Sequence, residues 1–222
     1  MEWFVEQRPA YSILKIILDP GESVTSESGA MMLMKGDIDI RTHTGGIGRA
    51  LLRRIAGGEA LFLNTYIAKS QSELWFAPGI PGDIIDIKIS GEPWLVQDSS
   101  YLAHTGNIKI GVAWRGLKGL LAEGELVWLK LEGHGITWVN GYGGIEKVEL
   151  GVGEKIVVDN FHFVAMPANT RYRIRKFGGW KSFLLGGEGF VVEVEGPSIL
   201  YLQTRILPPL AYAIRKFIGG RS

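Results

Sequence analysis

The strongest constraint on this 222-residue chain is a pattern it repeats three times. Gly57-Gly58-Glu59-Ala60-Leu61-Phe62-Leu63 recurs as Glu123-Gly124-Glu125-Leu126-Val127-Trp128-Leu129 and as Gly186-Gly187-Glu188-Gly189-Phe190-Val191-Val192. The glutamates stand 66 and 63 residues apart. A second landmark precedes each one: Leu18-Asp19-Pro20-Gly21-Glu22, Ile89-Ser90-Gly91-Glu92 and Leu150-Gly151-Val152-Gly153-Glu154. Glu27-Ser28 and Asp159-Asn160 follow their glutamates by five residues. Asp98 follows Glu92 by six, which reads as one inserted residue. A third landmark lies between the two glutamates of each copy: Asp37-Ile38-Asp39-Ile40, Asn107-Ile108-Lys109-Ile110 and Arg171-Tyr172-Arg173-Ile174, each leading into glycine. Three landmarks in one order, at similar spacing, imply a copied module rather than scattered glycine–glutamate pairs.

The units read as β-strands. Ile38/Ile40, Ile108/Ile110 and Tyr172/Ile174 alternate with polar neighbours, the period of a half-buried strand. Glycine supplies 31 residues, about 14% against an ordinary share of about 7%, and implies many turns. Each Gly-Glu reads as a hairpin turn whose glycine takes a positive φ. A period near 65 suits about six short strands and exceeds the roughly 40–45 residues of a propeller blade. The expected fold is therefore all-β: three β-sandwich or barrel modules around a pseudo-threefold axis, at about 12–78, 79–142 and 143–207. They form a single domain, because no linker separates them. A tail at 208–222 opens on Pro208-Pro209 and carries Leu210, Ile214, Phe217 and Ile218 on one helical stripe. A second short helix is expected over 48–55.

Composition excludes several functions. Cysteine is absent, which removes disulfides, thiol catalysis and iron–sulfur sites. A net charge of +1 offers no bulk attraction to nucleic acid or anionic lipid. The start of the chain lacks a signal-peptide pattern, and no apolar run is long enough to span a bilayer. A cytoplasmic protein is expected, with the periphery of a membrane as a second location. His43, His104, His134 and His162 lack the spacing of a metal pair, so no cofactor or metal is assigned. No nucleophile elbow or phosphate loop is present, and no catalytic residue is assigned.

Two groups of charged residues stand out. Arg171, Arg173 and Arg175 alternate onto one strand face, with Lys176 and Lys181 beside them. Such a stripe either binds an anionic partner or forms the solvated face of a half-buried strand. Glu59, Glu125 and Glu188 read as turn acids with a structural role. The tail has three readings, in order: docking on its own subunit or a symmetry mate, lying on a membrane surface, or filling a partner's groove. Met31-Met32-Leu33-Met34 and Phe183-Leu184-Leu185 do not alternate and fit interfaces, favouring a homo-oligomer.

Leu18-x-Pro20-Gly21-Glu22, Ser28-Gly29-Ala30-Met31-Met32-x-Met34 and Phe62-Leu63-x-x-Tyr66 after Gly-Gly-Glu carry a resemblance over nearly the whole chain. The chain resembles an uncharacterised prokaryotic family whose mitochondrial relatives are called altered-inheritance-of-mitochondria proteins. That resemblance implies a fold like the tryptophan RNA-binding attenuation protein, in the double-stranded β-helix class, and assembly as a homotrimer. It also implies a scaffolding role near membranes, and it brings no catalytic residues. The expected function is a non-enzymatic binding or scaffold protein. A small-molecule site between modules or subunits, and an RNA or DNA binder using the arginine stripe, are the alternatives.

Overall fold

The computed structural model describes residues 1–45, 62–114, 128–176 and 190–218. The short helix expected over 48–55 lies outside them. The fold is predominantly β. The first strands are β1 (Glu2–Glu6), β2 (Ile13–Leu18), β3 (Ser23–Glu27), β4 (Met31–Lys35), β5 (Ile38–His43), β6 (Leu63–Ala68) and β7 (Ser72–Phe76). Next come β8 (Gly82–Ser90), β9 (Trp94–Gln97) and two long strands, β10 (Tyr101–Trp114) and β11 (Trp128–Tyr142). The last are β12 (Ile145–Leu150), β13 (Lys155–Asp159), β14 (Phe163–Pro167), β15 (Arg171–Lys176), β16 (Phe190–Glu195) and β17 (Ser198–Gln203). One helix, α1 (Leu207–Ile218), ends the described chain.

Local sequence explains the strands and their turns. In β2, Leu14, Ile16 and Leu18 are fully buried while Ile13, Lys15 and Ile17 face outward, the alternation of a half-covered sheet. Gly21, Gly91 and Gly153 take the expected positive φ, +87°, +98° and +81°, but the turns are not the hairpins expected: the strands they connect, β2–β3, β8–β9 and β12–β13, do not pair with each other. The Glu22 carboxylate closes its turn by accepting the Asp19 N–H at 2.8 Å, and Glu154 accepts the Gly151 N–H at 2.7 Å. The β10–β11 pair is creased where glycines let the backbones approach. At Gly133, with φ +123°, an added Cβ would sit 2.0 Å from the Asn107 carbonyl oxygen.

Backbone pairing sorts the strands into three sheets. In the first part of the chain β7 lies between β2 and β4, and β6 between β3 and β5. In the middle, one half of β11 lies between β8 and the start of β10, and its other half between β9 and the end of β10. In the last part β17 lies between β12 and β14, and β16 between β13 and β15. Bulges fall at Met31/Leu33 against β7, Tyr101/Ala103 against β11 and Phe163/Ala165 against β17. Two further contacts, β3 with β10 and β9 with β14, fuse most of these strands into a ten-stranded sheet.

Three apolar clusters fill the space between the layers. Leu14, Ile16, Leu74, Phe76 and Trp138 centre the first, Ile87, Val96, Leu129 and Val139 the second, and Phe163, Val194 and Leu200 the third. Each fully buried side chain of this kind contributes about 1.5–3 kcal/mol. Clusters reach across the joins: Trp138 belongs to the first, and Leu95 and Trp128 to the third.

An ion pair between half-exposed Arg8 and buried Asp83 ties the β1–β2 connection to β8. Arg8 grips both oxygens of Asp83 at 2.8 Å, and the same carboxylate accepts Ser12 Oγ at 2.9 Å and the Ile84 N–H at 2.8 Å. Asp83→Ala leaves the buried Ser12 hydroxyl and the Ile84 N–H without their acceptor. We expect a loss of about 3 kcal/mol in urea unfolding. A loss below about 1 kcal/mol would show that the network is redundant.

Candidate functional site

Arg171, Arg173 and Arg175 share one face of β15, while Tyr172 and Ile174 pack on the third cluster. Across β16 they meet acids: Arg171 opposes Glu195, Arg173 opposes Glu193, and Arg175 Nε lies 3.3 Å from Glu193. Lys155 of β13 reaches Glu195 at 3.2 Å. Lys155, Arg171, Arg173, Glu193 and Glu195, without Arg175, border a groove of about 450 Å³ that also takes in Thr170 and Tyr172. Two carboxylates thus offset part of the positive field of four cations. The side chain of Lys176, together with Lys181, Glu59, Glu125 and Glu188, lies outside the described residues.

A denser group of titratable residues sits where β3 meets β10, and the sequence reading did not single it out as a site. It joins Glu27 at the end of β3, Asp98 in the 3-10 turn Asp98–Ser100, and Tyr101 and His104 at the start of β10. The Tyr101 hydroxyl lies 3.3 Å from the Thr25 carbonyl and 2.7 Å from His104 Nδ1. A carbonyl oxygen only accepts, so the phenol donates to it and takes the Nδ1–H of a neutral imidazole. A second chain approaches from the rim. The Gly45 N–H donates to His43 Nδ1 at 3.0 Å, so His43 Nε2–H donates to Thr65 Oγ1 at 2.8 Å. Thr65 in turn contacts Thr25 Oγ1 at 2.7 Å. Residues far apart in sequence are brought together only because β3 pairs with both β6 and β10.

Burial sets the charge states here. Loss of solvation pushes the Glu27 carboxyl up to about 7, with the nearby Asp98 charge adding to it. Loss of solvation also raises Asp98 to about 6, against the lowering effect of the Ser99 N–H it accepts. Burial lowers His104 to about 4, helped by the charge of His43, and lifts Tyr101 well above its ordinary range. Burial thus moves Glu27 and Asp98 toward neutrality and His104 and Tyr101 away from it. Among the described residues, no group of three or more His, Asp or Glu is placed to hold a metal ion.

The join between β9 and β14 has the same register and different chemistry. Ala103 opposes Ser26 at the first join and Ala165 opposes Val96 at the second, so Gln97 stands where Glu27 stands. Phe163 and Met166 take the places of Tyr101 and His104. Gln97 Oε1 is buried without a protein partner among the described residues, as is Oδ1 of Asn160. The register also corrects the expected insertion: Gln97 ends β9, and Asp98 already belongs to the following turn.

Comparison with known proteins adds three findings. A family model described as mitochondrial biogenesis AIM24 matches residues 3–205. An uncharacterised protein of Streptococcus pyogenes serotype M6 is 24% identical over 231 residues, covering 100% of this chain and 93% of the relative. A crystal structure of a Streptococcus pyogenes protein is 25% identical with a TM-score of 0.80, covering 97% of this chain and 99% of that one.

The junction makes stability depend on pH in two opposed ways. Glu27 and Asp98 ionise later in the folded chain than in the unfolded one. Their contribution is whole below about pH 4 and is lost as pH rises through about 6 for Asp98 and about 7 for Glu27. His104 works the other way, its contribution being lost as pH falls from 6.5 towards about 4. Glu27→Gln supplies the group that the second join already carries. We expect it to stabilise the protein at pH 8 by up to about 3 kcal/mol, with the gain vanishing near pH 4.5 in thermal melts. A variant no more stable than the parent at pH 8 would contradict this account.

Proposed function

The chain belongs to the AIM24 mitochondrial biogenesis family, and on that footing we propose that it is a non-enzymatic scaffold that holds amphipathic helices at a membrane surface. In this reading the body consists of three copies of one six-strand module about an approximate threefold axis. It assembles as a homotrimer, with an architecture like the attenuation protein. The recurring order of strand pairing, the three bulges and the three positive-φ Gly-Glu turns support the triplication.

One observation carries the function. α1 buries none of its residues against the body, although it presents Leu210, Ile214, Phe217 and Ile218. An apolar stripe of that size is costly to leave in water, and docking on its own subunit does not cover it. Arg215 and Lys216 sit in its last turn, where cations also suit the helix dipole. Twelve residues make about 18 Å of helix, enough to lie along a lipid surface, with cations at head-group level. No helix among the described residues is long and apolar enough to cross a membrane. Four cations against two acids on the β13–β15–β16 face support a second, weaker reading, in which Arg171, Arg173 and Arg175 bind an anionic partner.

The protein should sediment with vesicles containing a third phosphatidylserine and remain in the supernatant with neutral vesicles. Ile214→Ser with Phe217→Ser should abolish sedimentation, and Arg171→Ser with Arg173→Ser should leave it unchanged. Absence of the parent protein from the anionic pellet would overturn the membrane role. Light scattering should return three times the 24.4 kDa chain mass; a monomer would overturn the assembly.

A further inference from the structure

Each strand that follows a Gly-Glu turn has two edges to satisfy. β3 gives one edge to β6 and the other to β10, and β9 gives one to β11 and the other to β14. β13 gives one to β16 and, among the described residues, pairs with no other strand. The bulged strands are the counterpart. β10 and β14 are paired on both edges along their first residues, whereas β4, among the described residues, is paired with β7 alone. Among the described residues one strand of each kind thus has a single partner, and these two kinds pair with each other twice inside the chain.

Exposure follows the same division. The bulges align Leu33 with Ala103 and Ala165, and hence Met34 with His104 and Met166. Met34 is 40% exposed, against 7% at His104 and 0% at Met166. Thr25, Leu95 and Val157 each follow their Gly-Glu glutamate by three residues. Val157 is 47% exposed, against 8% at Thr25 and 4% at Leu95. Met31 and Met32 add apolar surface along β4, whose second edge has no strand partner among the described residues. Such an edge invites another strand, and β4 carries only Lys35 to deter one.

We propose that β4 of one copy pairs antiparallel with β13 of the next, head to tail. The two joins within the chain dictate the register. Leu33 faces Val158 of the partner subunit, Met34 faces Val157 of the partner subunit, and Lys35 faces Ile156 of the partner subunit. The pairing satisfies both open backbone edges and buries the Met–Val surface as the internal joins bury theirs. Because the two surfaces differ, the contact is heterologous, and a threefold rotation closes it into the trimer proposed above. This rests on the three-module, homo-oligomeric reading above and identifies its interface.

The cysteine-free chain offers a silent background for disulfide trapping. Leu33→Cys and Val158→Cys chains, co-expressed and mildly oxidised, should give a covalent dimer on a non-reducing gel. Neither variant alone should do so, since a β4–β4 contact would link Leu33→Cys to itself. Pairing Leu33→Cys with Val157→Cys places the thiols on opposite sheet faces and should give no dimer. The unmodified protein provides a check independent of these variants. Isotopically light and heavy chains, refolded together and treated with an amine-reactive cross-linker, should yield light–heavy links between Lys35 and Lys155. An oligomer by light scattering that shows neither link overturns the interface and leaves the assembly standing. A monomer overturns both.

Discussion

The rest of the structure depends on one main-chain contact: the strand after a Gly-Glu turn pairing with the bulged strand of the next segment. Without the β3–β10 and β9–β14 ladders, β3, β9, β10 and β14 would each carry a raw sheet edge. With them, backbone N–H and C=O groups that would otherwise be left unpaired acquire partners. The apolar clusters also become shared, since Val164 and Ala165 of β14 pack into the middle cluster and Leu95 of β9 into the last. The clusters are thereby coupled through β9 and β14.

The two internal joins show how little of their chemistry the geometry dictates. In the same backbone register, one join holds Glu27, Asp98, Tyr101 and His104 while the other holds Gln97, Asn160, Phe163 and Met166. Main-chain hydrogen bonds set the spacing of the strands and are indifferent to side-chain charge. One join is therefore free to collect proton-exchanging groups while its counterpart stays neutral. The cost is paid locally, because buried carboxyls near Tyr101 give up solvation that amides lose more cheaply. At the proposed contact, β4 offers Leu33 and Met34 and β13 offers Val157 and Val158, apolar residues that suit a contact made after the chain has folded.

Much of the fold was legible in the residues. The alternation in 38–40, 108–110 and 172–174 marks strands correctly; at 108–110 and 172–174 burial on one face imposes the period of two, whereas Ile40 in β5 is exposed. Gly21, Gly91 and Gly153 mark turns because their φ values are strained for any side chain. The stripe from Leu210 to Ile218 marks α1, whose bounds agree within a residue at its start. The site was far less legible. His43 and His104 stand 61 residues apart, and no spacing rule links them. Asp98 looked like the counterpart of Glu27 until register placed Gln97 there. The arginine stripe was visible, but Glu193 and Glu195, which share its face, come from the neighbouring strand.

The sequence by itself determined the strand-rich class, the Gly-Glu turns, the terminal amphipathic helix and the family, since each depends on local chemistry or on order along the chain. Only the tertiary structure decided which edge meets which edge. That choice depends on long-range hydrogen bonds between backbone groups, which are nearly identical in every residue and leave no signature in the sequence. It is also the choice that gathers Glu27, Asp98, Tyr101 and His104 at one join and, among the described residues, leaves β4 paired with β7 alone and β13 with β16 alone.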